Sequence, residues 1–189
     1  MADFRLETER LTIRSWREAD IVPFAAICAD PVVMASLGPV MDLAATQAMV
    51  AREQAFEDEL GHTFWVVERR EDRRLIGKCG IIRGRDGPIV GKPEIGWRLA
   101  SDCWGYGYIT EAARACVDWF FAHRAADAIW AITHSGNVRS RAVMERLGMA
   151  YQPDCDFDHP RLAQDDPLLA HVAYELCASD WKRGNTMTS

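Results

Sequence analysis

The sequence predicts an α/β fold, one mixed β-sheet with helices on both faces, in a single domain covering residues 1–189. Three observations lead to this prediction. A chain of 189 residues with 49% hydrophobic and 26% charged side chains has the length and composition of one globular domain with a sizeable core. The first half contains β-rich runs that pair as a hairpin, which gives antiparallel strands. The second half alternates strands with helices, which adds parallel strands.

The first half of the chain begins with an alternating strand and two helices, and the hairpin follows. The second of these helices is closed by Gly61, a residue that favours the left-handed backbone at a helix end. The charged run E-D-R-R joins two β-rich runs as a plausible hairpin turn. The predicted elements are a strand at Leu11–Trp16, helices at Glu18–Cys28 and Thr46–Leu60, and strands that start at Thr63 and Arg74.

A long amphipathic helix is the strongest prediction in the second half. From Ile109, apolar residues recur at i, i+3, i+4, i+7, i+8, i+11 and i+12. Asn137 is a favourable N-cap for a further helix at Val138–Leu147, and Gly148 follows that helix. The other predicted elements are strands at Pro93–Leu99, at Ala128–Thr133, near Met149 and at Ala170–Leu176, with a polar loop at Asp154–Pro167.

The charge and the cysteines exclude several classes of protein. A net charge of −6 argues against nucleic-acid binding and favours cationic small molecules or basic protein segments as partners. The six cysteines show neither C-x-x-C nor Cys/His ligand spacing, so we expect reduced thiols and no metal site. The chain shows no apolar signal core and no run of about 18 apolar residues, so we expect a cytoplasmic protein without a membrane partner.

Two glycines and two tyrosines precede the long helix in the stretch W-G-Y-G-Y-I-T-E-A-A, Trp104–Ala113. A strand, a glycine-bearing loop and a helix N-terminus together form an anion site, because loop N–H groups converge and the helix adds about half a positive charge. A tight turn without a ligand is the alternative. A P-loop would end in G-K-[ST] and a dinucleotide fingerprint has a third glycine or alanine, whereas Ile109 and Thr110 follow here.

Three motifs in order resemble the GNAT superfamily of acyl-CoA N-acyltransferases. They are E-T-E-R-L-T-I-R, W-G-Y-G-Y-I-T-E-A with the strand E-I-G-W-R-L before it, and a later run with Asn137, Ser140, Val143, Gly148 and Met149 at the family's spacing. The resemblance is to the branch that includes ribosomal-protein N-terminal-alanine acetyltransferases. It extends from about Leu6 to Trp181, which is nearly the whole chain.

The resemblance implies acetyl-CoA as co-substrate and no metal. Main-chain N–H groups of the loop would hold the CoA pyrophosphate, and those near Leu99 would polarise the thioester carbonyl. Gly96 would mark a bulge that parts its strand from the next one and admits the pantetheine arm. Asp102 departs from the family, which often has Arg or Gln there. The implied cofactor-binding residues are Leu99, Cys103, Trp104, Gly105, Tyr106, Gly107, Tyr108, Asn137 and Ser140.

Glu94 and Ser140 are the catalytic residues that the resemblance implies. Glu94 would take the proton of the attacking amine through water, since related proteins often carry a glutamate on this strand. The alternatives for this base are His134, His159 and His171. Many GNAT enzymes protonate the leaving thiolate with a tyrosine where this chain has Met144, so the branch resemblance indicates Ser140 instead. Each of these residues also has an interpretation without a role in the reaction: Glu94 as a solvated carboxylate, Asn137 as a helix cap alone, and Ser140 as a serine with local hydrogen bonds.

The expected activity is direct transfer of acetyl from acetyl-CoA to a primary amine. The amine belongs either to a protein N-terminus or to a small molecule such as a polyamine or an aminoglycoside. A non-catalytic CoA-binding sensor of the same fold is the alternative, to which Asp102 and Met144 give some support. The acceptor would be bound by Cys28–Gly38, the second helix and the loop around Phe157–His171. Surface tryptophans such as Trp104 would permit a homodimer.

Overall fold

The structure is a computed structural model that describes residues 4–186, with side chains as far as Arg183. The ends of the predicted domain, residues 1–3 and 187–189, lie outside the described residues. The described strands are β1 Arg5–Glu7, β2 Leu11–Arg14, β3 Phe64–Arg69, β4 Arg74–Arg83, β5 Pro93–Leu99, β6 Ala128–His134, β7 Ala150–Tyr151, β8 Phe157–Asp158 and β9 Ala170–Cys177. The α-helices are α1 Ile21–Cys28, α2 Pro31–Met34, α3 Leu43–Leu60, α4 Tyr108–His123, α5 Val138–Arg146 and α6 Ala178–Thr186.

The strands form one mixed sheet in the order β1-β2-β3-β4-β5-β6-β9-β7, and β8 pairs with β9. The pairs from β1 to β4 are antiparallel, as are those that β9 makes with β6, β7 and β8. Strands β5 and β6 run parallel. These pairings confirm the predicted mixed α/β fold, and β3–β4 is the hairpin predicted across E-D-R-R.

Two compact units make up the chain, and both β5 and α4 contribute residues to each of them. The first unit contains the chain up to Ile82 together with Gly96–Cys116. The second contains Arg83–Ile95 and the chain from Val117 onward. The single domain that the sequence predicts stays a prediction.

The core of the first unit is built on β2, β3 and the helices between them. Trp65 of β3 is fully buried and stacks on Phe4 with a ring separation of 3.8 Å. Helix α3 begins where the Asp42 side chain accepts a hydrogen bond from the N–H of Ala45 at 2.7 Å. It ends at Gly61, whose φ of 71° is left-handed, as the glycine there predicts.

A buried ion cluster joins β2 to β3 and to the turn before α1. Both terminal nitrogens of Arg14 donate to the carboxylate of Asp20, at 2.7 and 2.8 Å. Arg14 also donates twice to Glu68, at 3.0 and 2.8 Å. The hydrogen bond with Asp20 raises the pKa of the Arg14 guanidinium. The main polar groups of this cluster therefore satisfy one another inside the first unit.

The second unit is organised around the long antiparallel pair β6–β9, which aligns seven residues from Ala128 opposite Cys177 to His134 opposite His171. A small buried apolar cluster of this unit consists of Ile89, Trp130 of β6 and Ala173 of β9. The ammonium of Lys92 lies 3.8 Å from the centre of the Trp130 ring.

Four of these strands and α-helices are absent from the sequence prediction: β1, β8, α2 and α6. Strands β1 and β8 have three and two residues, which is too short for an alternating pattern to be visible. Strand β8 lies inside the segment predicted as a polar loop. Within the described part of the chain, no helix is both long and apolar enough to cross a membrane.

Candidate active site

The glycine loop is the segment Gly105–Gly107, which lies between β5 and α4 and directly precedes Tyr108, the first residue of α4. A short 3-10 turn at Ser101–Cys103 connects β5 to it. Gly105 and Gly107 have φ angles of +84° and +80°, in the left-handed region that residues with a side chain rarely adopt. The two glycines are thus required by the backbone path, and a side chain at either position would strain it.

The main-chain N–H groups of this region differ in whether they already donate to an acceptor within the protein. The N–H groups of Cys103 and Trp104 donate to the carbonyls of Ala100 and Ser101, at 3.0 and 3.2 Å. By contrast, no acceptor among the described residues pairs with the N–H groups from Gly105 through Thr110. These six consecutive donors lie in the loop and in the first turn of α4, where the helix dipole adds positive potential. Among the described residues, the loop N–H groups that are available as donors therefore lie in the Gly105–Thr110 backbone.

Side chains of the first unit hold this loop in place from several directions. The indole nitrogen of Trp104 donates to the carbonyl of Leu99 at 3.0 Å. Arg10 donates to the carbonyl of Tyr106 at 3.0 Å and to the carboxylate of Glu111 at 2.7 Å. Glu111 also accepts from the hydroxyl of Thr8 at 2.6 Å. The residues that the sequence places in the E-R-L and T-E-A motifs thus support the loop.

Asp102, the departure from the family pattern, is paired rather than exposed as a lone charge. Its carboxylate accepts two hydrogen bonds from Arg74, at 2.6 and 3.1 Å. This bidentate pairing holds the pKa of Asp102 below its ordinary value. Since the arginine offsets the carboxylate charge, Asp102 does not leave a bare negative charge at the entrance to the loop.

Leu99 and Gly96 lie on the strand that leads to the loop. Ala100 donates to the carbonyl of Ile76 in β4 at 2.8 Å, and the Leu99 carbonyl faces the indole of Trp104. Because main-chain polar groups alternate sides along a strand, the N–H of Leu99 faces away from β4. A Cβ at Gly96 would come within 2.8 Å of the Phe64 ring, so close packing requires a glycine there. The bulge predicted at Gly96 stays a prediction.

Asn137 and Ser140 are hydrogen-bonded to each other at the start of α5 in the second unit. The Asn137 side chain accepts from the N–H of Ser140 at 3.2 Å, which is the predicted cap. Its amide nitrogen donates to the hydroxyls of Thr133 and Ser140, at 2.9 and 3.0 Å. Because the Ser140 oxygen accepts this bond, its own hydroxyl proton can be donated elsewhere. Met144 is buried, 2% exposed, in the same helix.

Glu94 is partly buried on β5. In the parallel pairing of β5 with β6, Glu94 lies opposite Trp130. Three histidines of the second unit come together nearby on β6, β9 and the preceding loop. The His159 and His171 rings are 4.7 Å apart, and those of His134 and His171 are 6.4 Å apart. Burial lowers the pKa of His171, and the charges of its two histidine neighbours act in the same direction.

Asp86 and Arg161 complete this cluster. Arg161 makes a bidentate ion pair with Asp86, and the Nε2 of His159 lies 3.8 Å from the same carboxylate. The charge of Glu94 contributes to raising the pKa of Arg161, although the hydrogen bond with Asp86 is the larger cause. Among residues 4–186, no three His, Cys, Asp or Glu side chains are grouped so that they could hold a metal ion.

Comparison with known families identifies the fold and its chemistry. The model of the acetyltransferase (GNAT) domain matches residues 10–150, which is well over half of the chain. The chain belongs to the GNAT acetyltransferase family. GNAT acetyltransferases are acyltransferases that use acetyl-CoA, and this membership confirms the predicted class of enzyme. The glycine loop fits such a co-substrate, because its unpaired N–H groups suit a diphosphate.

Individual relatives agree with this GNAT assignment. The uncharacterized protein YkkB of Bacillus subtilis is 33% identical over 152 residues, covering 79% of this chain and 87% of YkkB. The structure of an acetyltransferase from Agrobacterium tumefaciens has a TM-score of 0.75 at 28% identity, over 93% of this chain and 95% of that one. The ribosomal-protein-S5-alanine acetyltransferase of Vibrio fischeri shares the fold, with a TM-score of 0.74 at 18% identity over 95% and 99% of the two chains.

Sequence reasoning missed Arg98, whose environment in this GNAT chain is unusual. Its terminal nitrogen Nη1 lies 2.9 Å from the Cys28 sulfur and 3.6 Å from the Met41 sulfur. The Nε of Arg98 is buried without a hydrogen-bond partner among the described residues. The only signal in the sequence was its place in E-I-G-W-R-L, where strand alternation puts Arg98 on the same face as Glu94 and Gly96.

Proposed function

We propose that this protein transfers the acetyl group of acetyl-CoA directly to a primary amine, carried either by a protein N-terminus or by a small molecule. The observation that carries the proposal is the row of unpaired N–H groups from Gly105 through Thr110, at the start of a 16-residue helix. Such a row binds a diphosphate through main-chain donors and the helix dipole. Loop and helix would thus anchor the nucleotide end of the co-substrate.

The acetyl end of the co-substrate would meet β5. The N–H of Leu99, which faces away from β4, would donate to the thioester carbonyl and stabilise the oxyanion that forms there. Pantetheine amides would pair with the β5 backbone as an added strand does. Asn137 retains acceptor capacity on its side-chain oxygen for a pantetheine N–H while it caps α5.

Two proton transfers accompany the exchange of bonds. The amine nitrogen forms a bond with the carbonyl carbon, and the carbon–sulfur bond breaks. Glu94, through water, would accept the proton that the amine loses, with His134, His159 and His171 as the alternative bases. A base is needed because an amine of pKa about 8 is only roughly one-tenth neutral at pH 7. Ser140 would give its proton to the departing sulfur and regain one from water.

Two acceptor classes fit this chemistry. The fold shared with the Vibrio fischeri ribosomal-protein-S5-alanine acetyltransferase, together with the three motifs, supports a protein N-terminus. A small amine is supported by the net charge of −6, which attracts cations in general. We place the reaction in the cytoplasm, where the six cysteines, all free in the structure, would stay reduced.

Binding of the donor and turnover can be tested separately. Titration calorimetry should show acetyl-CoA binding much more tightly than S-acetyl-pantetheine, which carries the same thioester but no diphosphate. Thiol release should then rise with one member of a panel of small amines and N-terminal peptides. Equal affinity for the two thioesters would contradict the diphosphate site. Tight binding without thiol release for any amine would instead favour the CoA-binding sensor.

A further inference from the structure

Arg98 is a partly buried cation that has no carboxylate partner among the described residues. Its side chain contacts the sulfurs of Cys28 and Met41 and the ring of Phe24, whose centre is 5.9 Å from the guanidinium carbon. Thiol and thioether sulfurs are weak acceptors, whereas a guanidinium has five N–H donors. None of the described carboxylates lies within ion-pair distance of it, and its Nε has no acceptor. A charged group is therefore held in a place where its hydrogen bonds are poorly satisfied.

The buried carboxylate of Glu53 in the first unit is already paired with another cation, Lys78. Glu53 is buried and accepts from the ammonium of Lys78 at 2.6 Å and from the hydroxyl of Thr63 at 3.0 Å. Burial lowers the pKa of Lys78, Glu53 opposes this shift, and the charge of Arg98 lowers the pKa further. The charges of Lys78 and Arg98 thus act on each other, and of these two cations only Lys78 has a carboxylate partner among the described residues. The charge of Arg98 is opposite in sign to the net charge of the chain.

The position of Arg98 relates this charge to the reaction. Arg98 directly precedes Leu99, whose N–H would polarise the thioester carbonyl. Of its sulfur neighbours, Cys28 is the first residue of the segment Cys28–Gly38 that the sequence predicts to bind the acceptor, and Met41 lies between that segment and α3. Guanidinium groups recognise carboxylates through paired, charge-assisted hydrogen bonds. A carboxylate at Arg98 would also satisfy donors that the two sulfurs leave poorly bonded.

We propose that Arg98 binds a carboxylate of the acceptor, so that the acceptor is a small amino acid or another amine that carries a carboxylate. This inference rests on the proposed acetyl transfer and names its substrate class. It favours such compounds over polyamines, which have no carboxylate. It also favours them over protein N-termini, whose terminal carboxylate is remote from the amine.

The test compares α-amino acids with their carboxamides as acceptors for the full-length protein and acetyl-CoA. An α-amino carboxamide has the lower amine pKa and hence more neutral amine, so chemistry alone would favour the amide. We expect the acids to be preferred in kcat/KM nevertheless. Arg98→Gln should lower kcat/KM for the acids by about 10- to 100-fold, the value of a lost charge-assisted bond, and leave the amides nearly unchanged. Arg98→Lys should retain part of the preference, and Arg73→Gln, at an exposed position of the turn between β3 and β4, is the matched control.

Calorimetry on the CoA-bound protein keeps this inference separate from the proposed activity. Acids that bind more tightly than amides to the wild type, but not to Arg98→Gln, would support the carboxylate site even if no acetyl transfer occurred. No turnover with any amine would then contradict the proposed function alone. Equal binding of acids and amides, or an equal loss for both in Arg98→Gln with circular dichroism unchanged, would overturn the assignment of Arg98.

Discussion

Arg14 and Arg98 are two arginines on strands of the same unit, and their surroundings are opposite. Arg14 makes four hydrogen bonds to the carboxylates of Asp20 and Glu68. Arg98 has two sulfur neighbours and a buried Nε that finds no acceptor in the part of the chain that the structure describes. A guanidinium whose N–H donors are all bonded to carboxylates of the protein holds secondary-structure elements together. A guanidinium whose donors lack good acceptors in the protein is available to bind a ligand. The same distinction separates the N–H groups of Cys103 and Trp104 from those of Gly105–Thr110.

The strongest test of this comparison removes the satisfied arginine. Arg14→Met should lower the free energy of unfolding by about 3–5 kcal/mol, because two carboxylates remain at the site without their counter-charge. Urea denaturation followed by circular dichroism measures this change. Arg52→Met, at an exposed position, should unfold like the wild type. If Arg14→Met lowered the free energy of unfolding by less than about 1 kcal/mol, the number of hydrogen bonds that an arginine makes within the protein would not predict its contribution to stability.

The next test addresses the unpaired donors of the glycine loop. Gly105→Val should lower the affinity for acetyl-CoA by about 10- to 100-fold, since strain at a positive φ displaces N–H groups that bind phosphate. Affinity for S-acetyl-pantetheine should change little. Gly91→Val is the matched control, because Gly91 has a φ of +80° and, like Gly105, no atom within 4 Å of an added Cβ. Unchanged acetyl-CoA affinity in Gly105→Val would remove the loop from the binding site.

Ser140 is partly satisfied within the protein. Its hydroxyl oxygen accepts one hydrogen bond from Asn137, and its hydroxyl proton can still be donated to a ligand. Ser140→Ala should lower kcat by about tenfold, less than the roughly 10²- to 10⁴-fold typical of general acid catalysis, because a thiol of pKa about 8.5 already leaves readily. The affinity for acetyl-CoA should be nearly unchanged in calorimetry. Ser179→Ala, exposed in α6, should retain full turnover. Full turnover in Ser140→Ala would assign Ser140 to capping alone.

The smallest effect is expected for the unsatisfied arginine itself. Arg98→Met should keep the free energy of unfolding within about 1 kcal/mol of the wild type, because methionine fits a site lined by Cys28, Met41 and Phe24 and needs no hydrogen bonds. Urea denaturation beside Arg14→Met gives the direct contrast. A loss for Arg98→Met as large as that for Arg14→Met would show that both arginines are structural.

Much of the fold could be predicted from the sequence because its signals are local. The apolar period from Ile109 predicted α4, Asn137 marked the start of α5, and Gly61 marked the end of α3. By contrast, β1 and β8 are defined by the strands they pair with. Their two or three residues carry no periodic signal of their own.

The candidate site divides in the same way. The glycines of the loop could be located from the sequence, because a left-handed φ excludes most other residues at those positions. The pairing of Asp102 with Arg74 could not, and without it Asp102 counted only as a departure from the family that gave some support to a non-catalytic sensor. A pair of residues 28 positions apart leaves no pattern in a single sequence.

The sequence by itself determined the class of fold, the family and the backbone path of the glycine loop, because periodicity, caps and glycine conformation act between neighbours along the chain. Only the tertiary structure decided which charges are satisfied and which are left over. Arg98 and Cys28 are 70 positions apart, and the strength of a charge interaction depends on the distance and burial that folding creates.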